Sequence, residues 1–170
     1  MCIRDSSQYT IYTDGSKTKS GVGAGFVIYN FNSILHEDFI PLISTSIIFQ
    51  AEAIAITEAV KYLSKRKSLK PKYVKIFSDS RAVLQALNSH DITSSTVQET
   101  VQKLNQLGQL TKRLTLNWIK AHNGHEGNEI ADRLANIGAR ATSEHKYVQI
   151  SDTLVKSYIN NCIYDSWSLR

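Results

Sequence analysis

The chain has 170 residues, of which 42% are hydrophobic, 9% aromatic and 21% charged, the size and balance of one globular domain able to bury a sizeable core, with room for an appended element. No apolar run is long enough to span a membrane, and two cysteines near opposite ends (Cys2 and Cys162) build neither a disulfide framework nor a thiolate zinc site. The formal net charge of +5 permits a nucleic-acid partner without requiring one, and an intracellular, reducing setting is expected.

Residues 1–7 have no apolar core of a signal peptide and no period, so they are expected to be a disordered or non-native leader. Gln8 to Thr13 alternates and is rich in β-formers, which predicts a strand ended by a turn at Asp14-Gly15-Ser16. Gly21 to Tyr29 predicts a second strand, Asn30 to Ser33 a hairpin turn, and Ile34 to Leu42 a third strand in an antiparallel meander. From Phe49 to Arg66 the apolar residues fall at 49, 53, 56, 60 and 63, a helical spacing. Tyr73 to Phe77 reads as a strand and Ser80 to Asn88 as a short helix with Ala82, Val83, Ala86 and Leu87 inward. Thr96 to Leu110 reads as a helix with Val97, Val101, Leu104 and Leu107 on one face. Arg113 to Ile119 alternates as a strand, and Glu126 to Thr142 is helical. Strands alternating with helices imply crossovers and parallel pairing. The expected fold is α/β, with a mixed five-stranded sheet of three antiparallel strands and then two parallel ones, flanked by helices. Residues 143–170 are expected to be a linker and a C-terminal helix, capped at Ser151-Asp152 and carrying Leu154, Val155, Tyr158, Ile159 and Cys162 on an apolar stripe.

Four carboxylates occupy places a core would not choose. Asp14 and Asp79 each follow an apolar strand, at the sheet edge where α/β folds bind ligands. Glu52 lies on the sheet-facing stripe of its helix, whereas Glu58 lies off it and is expected to be solvated. Asp132 sits among Ile130, Ala131, Leu134 and Ala135. Singly, each has an ordinary reading: turn former or N-cap for Asp14 and Asp79, helix-dipole complement for Glu52, ion-pair partner of Arg133 or Lys120 for Asp132. Together at one edge they repel, and burying them costs several kcal/mol unless a cation neutralises them. Hard oxygen donors select Mg²⁺ or Mn²⁺ over zinc, and two such ions roughly 4 Å apart suit phosphodiester hydrolysis.

The segments Tyr12-Thr13-Asp14-Gly15-Ser16, Gln50-Ala51-Glu52, Phe77-Ser78-Asp79-Ser80 and Trp118-Ile119-Lys120-Ala121-His122-Asn123-Gly124-His125-Glu126-Gly127-Asn128-Glu129-Ile130-Ala131-Asp132 resemble, in order and spacing, type I ribonuclease H over about residues 8–142. The details look most like the domain carried by non-LTR retrotransposon reverse transcriptases. The resemblance implies a ribonuclease H-like fold and endonucleolytic cleavage of the RNA strand of an RNA–DNA hybrid with two Mg²⁺ ions, Mn²⁺ substituting, leaving 5′-phosphate and 3′-hydroxyl ends. It places Asp14, Glu52, Asp79 and Asp132 as catalytic metal ligands and His122 as the loop histidine that helps proton transfer or product departure. Gly15, Ser16, Asn128 and Lys120 become candidate substrate contacts, Gly15 because it lets a backbone approach closely. His125 is expected to cap the next helix or lie exposed; Glu129 stands open between a metal-site role and a solvated surface. The implied partners are the hybrid and a fused or adjacent polymerase domain, with the chain monomeric. A non-catalytic hybrid-binding domain and another two-metal nuclease of the same superfamily are the alternatives.

Two departures qualify the resemblance. The connection Asn88-Ser89-His90-Asp91-Ile92-Thr93 is short and lacks the basic protrusion of cellular bacterial members, so hybrid affinity is expected to come from elsewhere. Ile47-Ile48 stand where Asn or Thr often holds the DNA phosphate, so DNA-strand selectivity is expected either to be weaker or to use other groups such as Arg81. The basic run Lys61, Lys65, Arg66, Lys67, Lys70, Lys72 and Lys75 lies away from the carboxylates and reads first as a solvated face, with a secondary template contact or a docking surface as the alternative. Lys17, Lys19, Lys120 and Arg133 are the nearer candidates for phosphates.

Overall fold

Period-two alternation and period-3.6 stripes resolve, in a computed structural model of the chain, into β1 (Gln8–Lys17), β2 (Val22–Asn30), β3 (Ser33–Leu42), α1 (Ile48–Lys65), β4 (Tyr73–Ser78), α2 (Arg81–Leu87), α3 (Ser95–Leu110), β5 (Arg113–Trp118) and α4 (Glu126–Arg140). The structure describes residues 8–66, 68–69, 71–121, 123–142, 145–157 and 159–160. The strands form one sheet in the order β3-β2-β1-β4-β5. β3, β2 and β1 pair antiparallel, and β1, β4 and β5 pair parallel, as the alternation of elements predicts. No helix among the described residues is long and apolar enough to cross a membrane.

The expected turn at Asp14-Gly15-Ser16 is not there. β1 pairs with β4 only as far as Thr13–Ser78, but its ladder with β2 continues to Lys17–Val22. A full set of partners on that side overrides the local turn propensity of Asp-Gly-Ser. The chain reverses later, where the Thr18 amide donates to the Gly21 carbonyl at 2.9 Å.

One sheet face packs Tyr9, Ile11, Phe26 and Ile28 against Ala53, Ile56, Val60 and Leu63 of α1, with Leu104 and Leu107 of α3 behind. Between α1 and α3 the apolar reading missed a buried polar pair, Thr57 and Thr100, whose hydroxyls lie 2.8 Å apart. The other face carries α4, with Ile130 and Leu134 on Val27. A Cβ on Gly25 would fall into the α4 backbone around Ala131 and Ala135, so that glycine lets α4 lie close enough to bring Asp132 over β1. In α2, Val83 is buried, but Ala82, expected inward, is exposed: a helix this short presents a narrow stripe, and Ala82 falls beyond it.

The segment after α4 returns to the sheet. The Lys146 amide donates to the Pro41 carbonyl (2.8 Å), and the Ile43 amide to the Lys146 carbonyl (3.3 Å). Val148 is buried with Val22, Ala24, Leu42, Ala51, Ile54 and Ala55, and the Gln50 side chain donates to the Gln149 carbonyl (2.7 Å). This return corrects the reading of Glu58: it is half-buried, accepting from Lys61 (3.0 Å) and paired with Lys146. Lys61 of the basic run also pairs with Glu99, at 2.6 Å. Residues 152–157 are helical, and the Leu154 amide donates to Ser151 Oγ (3.3 Å) as the predicted cap requires. Val155 and Ile159 of the expected apolar stripe are exposed, while Tyr158 and Cys162 lie outside the described residues.

Candidate active site

Parallel, in-register pairing of β1 with β4 places Asp14 and Asp79 each one residue past the last shared pair, Thr13–Ser78. Glu52 comes to the same point from α1. A Cβ on Gly15 would lie only 2.6 Å from the Glu52 amide nitrogen, so the missing side chain is what lets α1 sit on β1. The close approach expected of Gly15 is therefore to α1. One carboxylate oxygen from each of Asp14, Glu52 and Asp79 falls within 4.8 Å of the others. Asp132 is not in that mutual set, but its carboxyl lies within hydrogen-bonding reach of Asp14.

The electrostatics follow from burial. Asp14 and Glu52 are each 7% exposed. Loss of solvent first, and the Asp79 charge second, push the Asp14 carboxyl up to about 7, against the Gly15 amide that donates to its Oδ1 at 2.7 Å. Glu52 is pushed up to about 9, again by burial first and then by Asp14 and Asp79. Glu52 Oε2 is buried without a hydrogen-bond partner. An orphaned buried carboxylate oxygen beside two more carboxylates is costly as it stands. The donor set, oxygen only and dense in negative charge, fits a hard divalent cation.

Asp132 is held from its own helix. Asn136 Nδ2 donates to Asp132 Oδ1 and to the Asp132 carbonyl, both at 2.9 Å, and Ser16 Oγ donates to Asn136 Oδ1 at 2.8 Å. Ser16, expected at the substrate, is thus buried and turned toward α4. Asn136 escaped the sequence reading, although its position four residues after Asp132 marks a side chain on the same helical face. Trp118 was also missed as a neighbour of the site. Its indole N–H donates to the Asp79 carbonyl at 3.1 Å, and the Arg81 guanidinium lies over its ring, 4.0 Å from the centroid.

The remaining predicted residues divide. Asn128 is buried in the first turn of α4, its Oδ1 without a partner. Lys120 is exposed just after β5, and Glu129 is exposed on α4. His125 occupies the N-cap position of α4 through its backbone, with an exposed side chain that makes no cap bond. Lys17 Nζ donates to the Ser46 carbonyl (2.9 Å), at the approach to α1. His122 lies outside the described residues.

The sequence model of RNase H matches residues 6–140. The chain belongs to the RNase H family. With membership in the RNase H family comes the enzyme class expected from the sequence, ribonuclease H. Solved structures share the fold. RNase H1 from the halophilic archaeon Halobacterium salinarum NRC-1 aligns with a TM-score of 0.62 at 18% identity, over 77% of this chain and 96% of that one. LC11-RNase H1, solved in complex with RNA/DNA hybrid, aligns with a TM-score of 0.59 at 21% identity, over 76% and 97%. The N-terminal RNase H domain of rv2228c from Mycobacterium tuberculosis, solved as a fusion with maltose-binding protein, aligns with a TM-score of 0.60 at 20% identity, over 76% and 96%. Among curated proteins the sequence finds no match.

Proposed function

We propose that the chain is an endonuclease that hydrolyses the RNA strand of RNA–DNA hybrids by two-metal-ion catalysis. The observation that carries this reading is the convergence of Asp14, Glu52 and Asp79 within 4.8 Å, with Asp132 alongside Asp14. These four residues would hold the divalent ions, Mg²⁺ or Mn²⁺. When bound, such ions supply charge neutralisation at the phosphate and a more acidic water. In the hydrolysis, a water oxygen adds to phosphorus and the P–O3′ bond breaks, leaving a 5′-phosphate and, after protonation, a 3′-hydroxyl. The chain's own groups set the geometry. Gly15 seats Glu52 beside Asp14, the Trp118 indole holds the Asp79 carbonyl, and burial keeps bulk water from screening the cluster. His122 is the residue proposed to pass the departing proton, and Lys120, exposed just after β5, and Arg81, exposed at the start of α2, are the proposed phosphate contacts. A substrate 2′-hydroxyl is the group that distinguishes RNA from DNA, consistent with the solved LC11 relative being bound to RNA/DNA hybrid.

The motif run from Trp118 to Asp132 and the short α2–α3 connection support placement in a retrotransposon reverse transcriptase, acting intracellularly as a monomer beside a fused or adjacent polymerase domain. The test is incubation with labelled hybrid, double-stranded RNA and double-stranded DNA, with Mg²⁺ or with chelator. Mg²⁺-dependent cutting of the RNA in hybrid alone is expected, and Asp79→Asn should abolish it without unfolding the protein. Cleavage of duplex DNA, or of any substrate in chelator, would overturn the proposal.

A further inference from the structure

Asp132 differs from the other three carboxylates in how it is held. Asp14, Glu52 and Asp79 crowd one another, whereas Asp132 stands beside Asp14, outside that mutual set, and is gripped through its side chain by Asn136. The orientation of that amide follows from chemistry. Its Nδ2 faces two acceptors, the Asp132 carboxylate and the Asp132 carbonyl, each at 2.9 Å. A flipped amide would set an oxygen against both, so Oδ1 must face away, and there it receives the Ser16 hydroxyl at 2.8 Å. Ser16 comes from β1, two residues after Asp14, and is buried at 9% exposure. The relay Ser16–Asn136–Asp132 therefore runs from the strand that carries one carboxylate to the helix that carries another, and it occupies Asp132 Oδ1 while leaving Oδ2 without any such bond to Asn136.

We propose, resting on the metal-dependent reading above, that Asn136 is a positioning residue for the fourth metal ligand. By occupying Oδ1, it leaves Asp132 Oδ2 as the oxygen that would bind a divalent cation next to Asp14, and Ser16 fixes Asn136. Hydrogen-bond partners of metal ligands change affinity by roughly 10–100-fold when removed, so the effect is large enough to measure. A merely structural Asn136 would act equally whether or not Asp132 can bind an ion.

The experiment is calorimetric Mn²⁺ titration of the full chain and of Asp132→Asn, Asn136→Leu, Ser16→Ala and the Asp132→Asn/Asn136→Leu pair, with the Mg²⁺ midpoint for hybrid cleavage as a second readout. Asn136→Leu keeps the side-chain size and removes the amide; Ser16→Ala is the gentler change and leaves the helix intact. Asp132→Asn should weaken Mn²⁺ binding. Asn136→Leu should weaken it about tenfold, Ser16→Ala less, and Asn136→Leu should add nothing once Asp132 is Asn. The Mg²⁺ midpoint should rise in Asn136→Leu with the KM for hybrid unchanged. Unaltered Mn²⁺ affinity in Asn136→Leu, or an equal loss in the Asp132→Asn background, overturns the positioning role while the nuclease reading stands. Failure of the unmutated chain to bind Mn²⁺ and to cut hybrid overturns both.

Discussion

Replacing Glu52 with Gln should make the metal-free protein more stable at pH 8 while changing it little at pH 5. Glu52 titrates at about 9 in the folded chain against an ordinary value of 4.5. A carboxyl raised on folding binds its proton more tightly in the native state, so stability is full at low pH and is lost as pH rises from about 4.5 toward 9. From pH 5 to pH 8 the unfolded carboxyl is already largely ionised while the folded one keeps most of its proton. At about 1.4 kcal/mol per pH unit that difference reaches about 4 kcal/mol, and about 2–4 kcal/mol after allowing for local relaxation of the site. Gln carries the same shape with nothing to ionise. In a domain of this size the gain corresponds to a rise in Tm of roughly 5–15 °C. The assay is thermal unfolding of both proteins in chelator at pH 5 and pH 8, compared as a difference of differences so that other titrating groups cancel. Mg²⁺ should raise the Tm of the unmutated protein at pH 8 and that of Glu52→Gln much less. Equal Tm differences at the two pH values would show that Glu52 is not held as a desolvated carboxyl, and the case for a cation-demanding cluster would fall with it.

Gly15→Ala should destabilise the fold by about 1–3 kcal/mol or more, because its Cβ meets backbone that cannot yield, and should weaken Mg²⁺ binding as Glu52 is displaced; denaturant unfolding and ion titration check the two together. Trp118→Phe keeps a ring for Arg81 to cover but loses the bond to the Asp79 carbonyl, a net loss of about 0.5–1.5 kcal/mol, and should slow hybrid cleavage several-fold with hybrid affinity unchanged. Val148→Ala should lower stability by about 1–3 kcal/mol in denaturant melts, since Val148 is buried among residues of β2, β3 and α1; a neutral result would mean that the segment after α4 does not hold the sheet in solution.

Asp79 shows how much of the site was legible locally. An alternating strand and the residue that ends it lie in one short window, and the structure places the carboxyl where that window predicts. Asp14 was found by the same reasoning, yet its setting was misjudged, because Asp-Gly-Ser ends a strand only when no neighbour offers a ladder, and β2 does. Glu58 looked solvated because its partner Lys146 arrives from far along the chain. Asn136 and Trp118 carry no local mark of their contacts: an Asn in a helix and a Trp ending a strand acquire meaning only from Ser16, Asp132 and Asp79 across the fold.

Hydrophobic periodicity along the chain determined the order and type of the elements, because which face of a helix or strand avoids water is written in nearest-neighbour spacing. Motif order likewise determined which carboxylates to watch. Tertiary structure alone decided that three of them meet within 4.8 Å while the fourth stands beside Asp14 in the grip of Asn136. Distances between groups far apart in sequence are set by how closely helices can rest on the sheet, and at Gly15 and Gly25 that closeness depends on backbone meeting backbone.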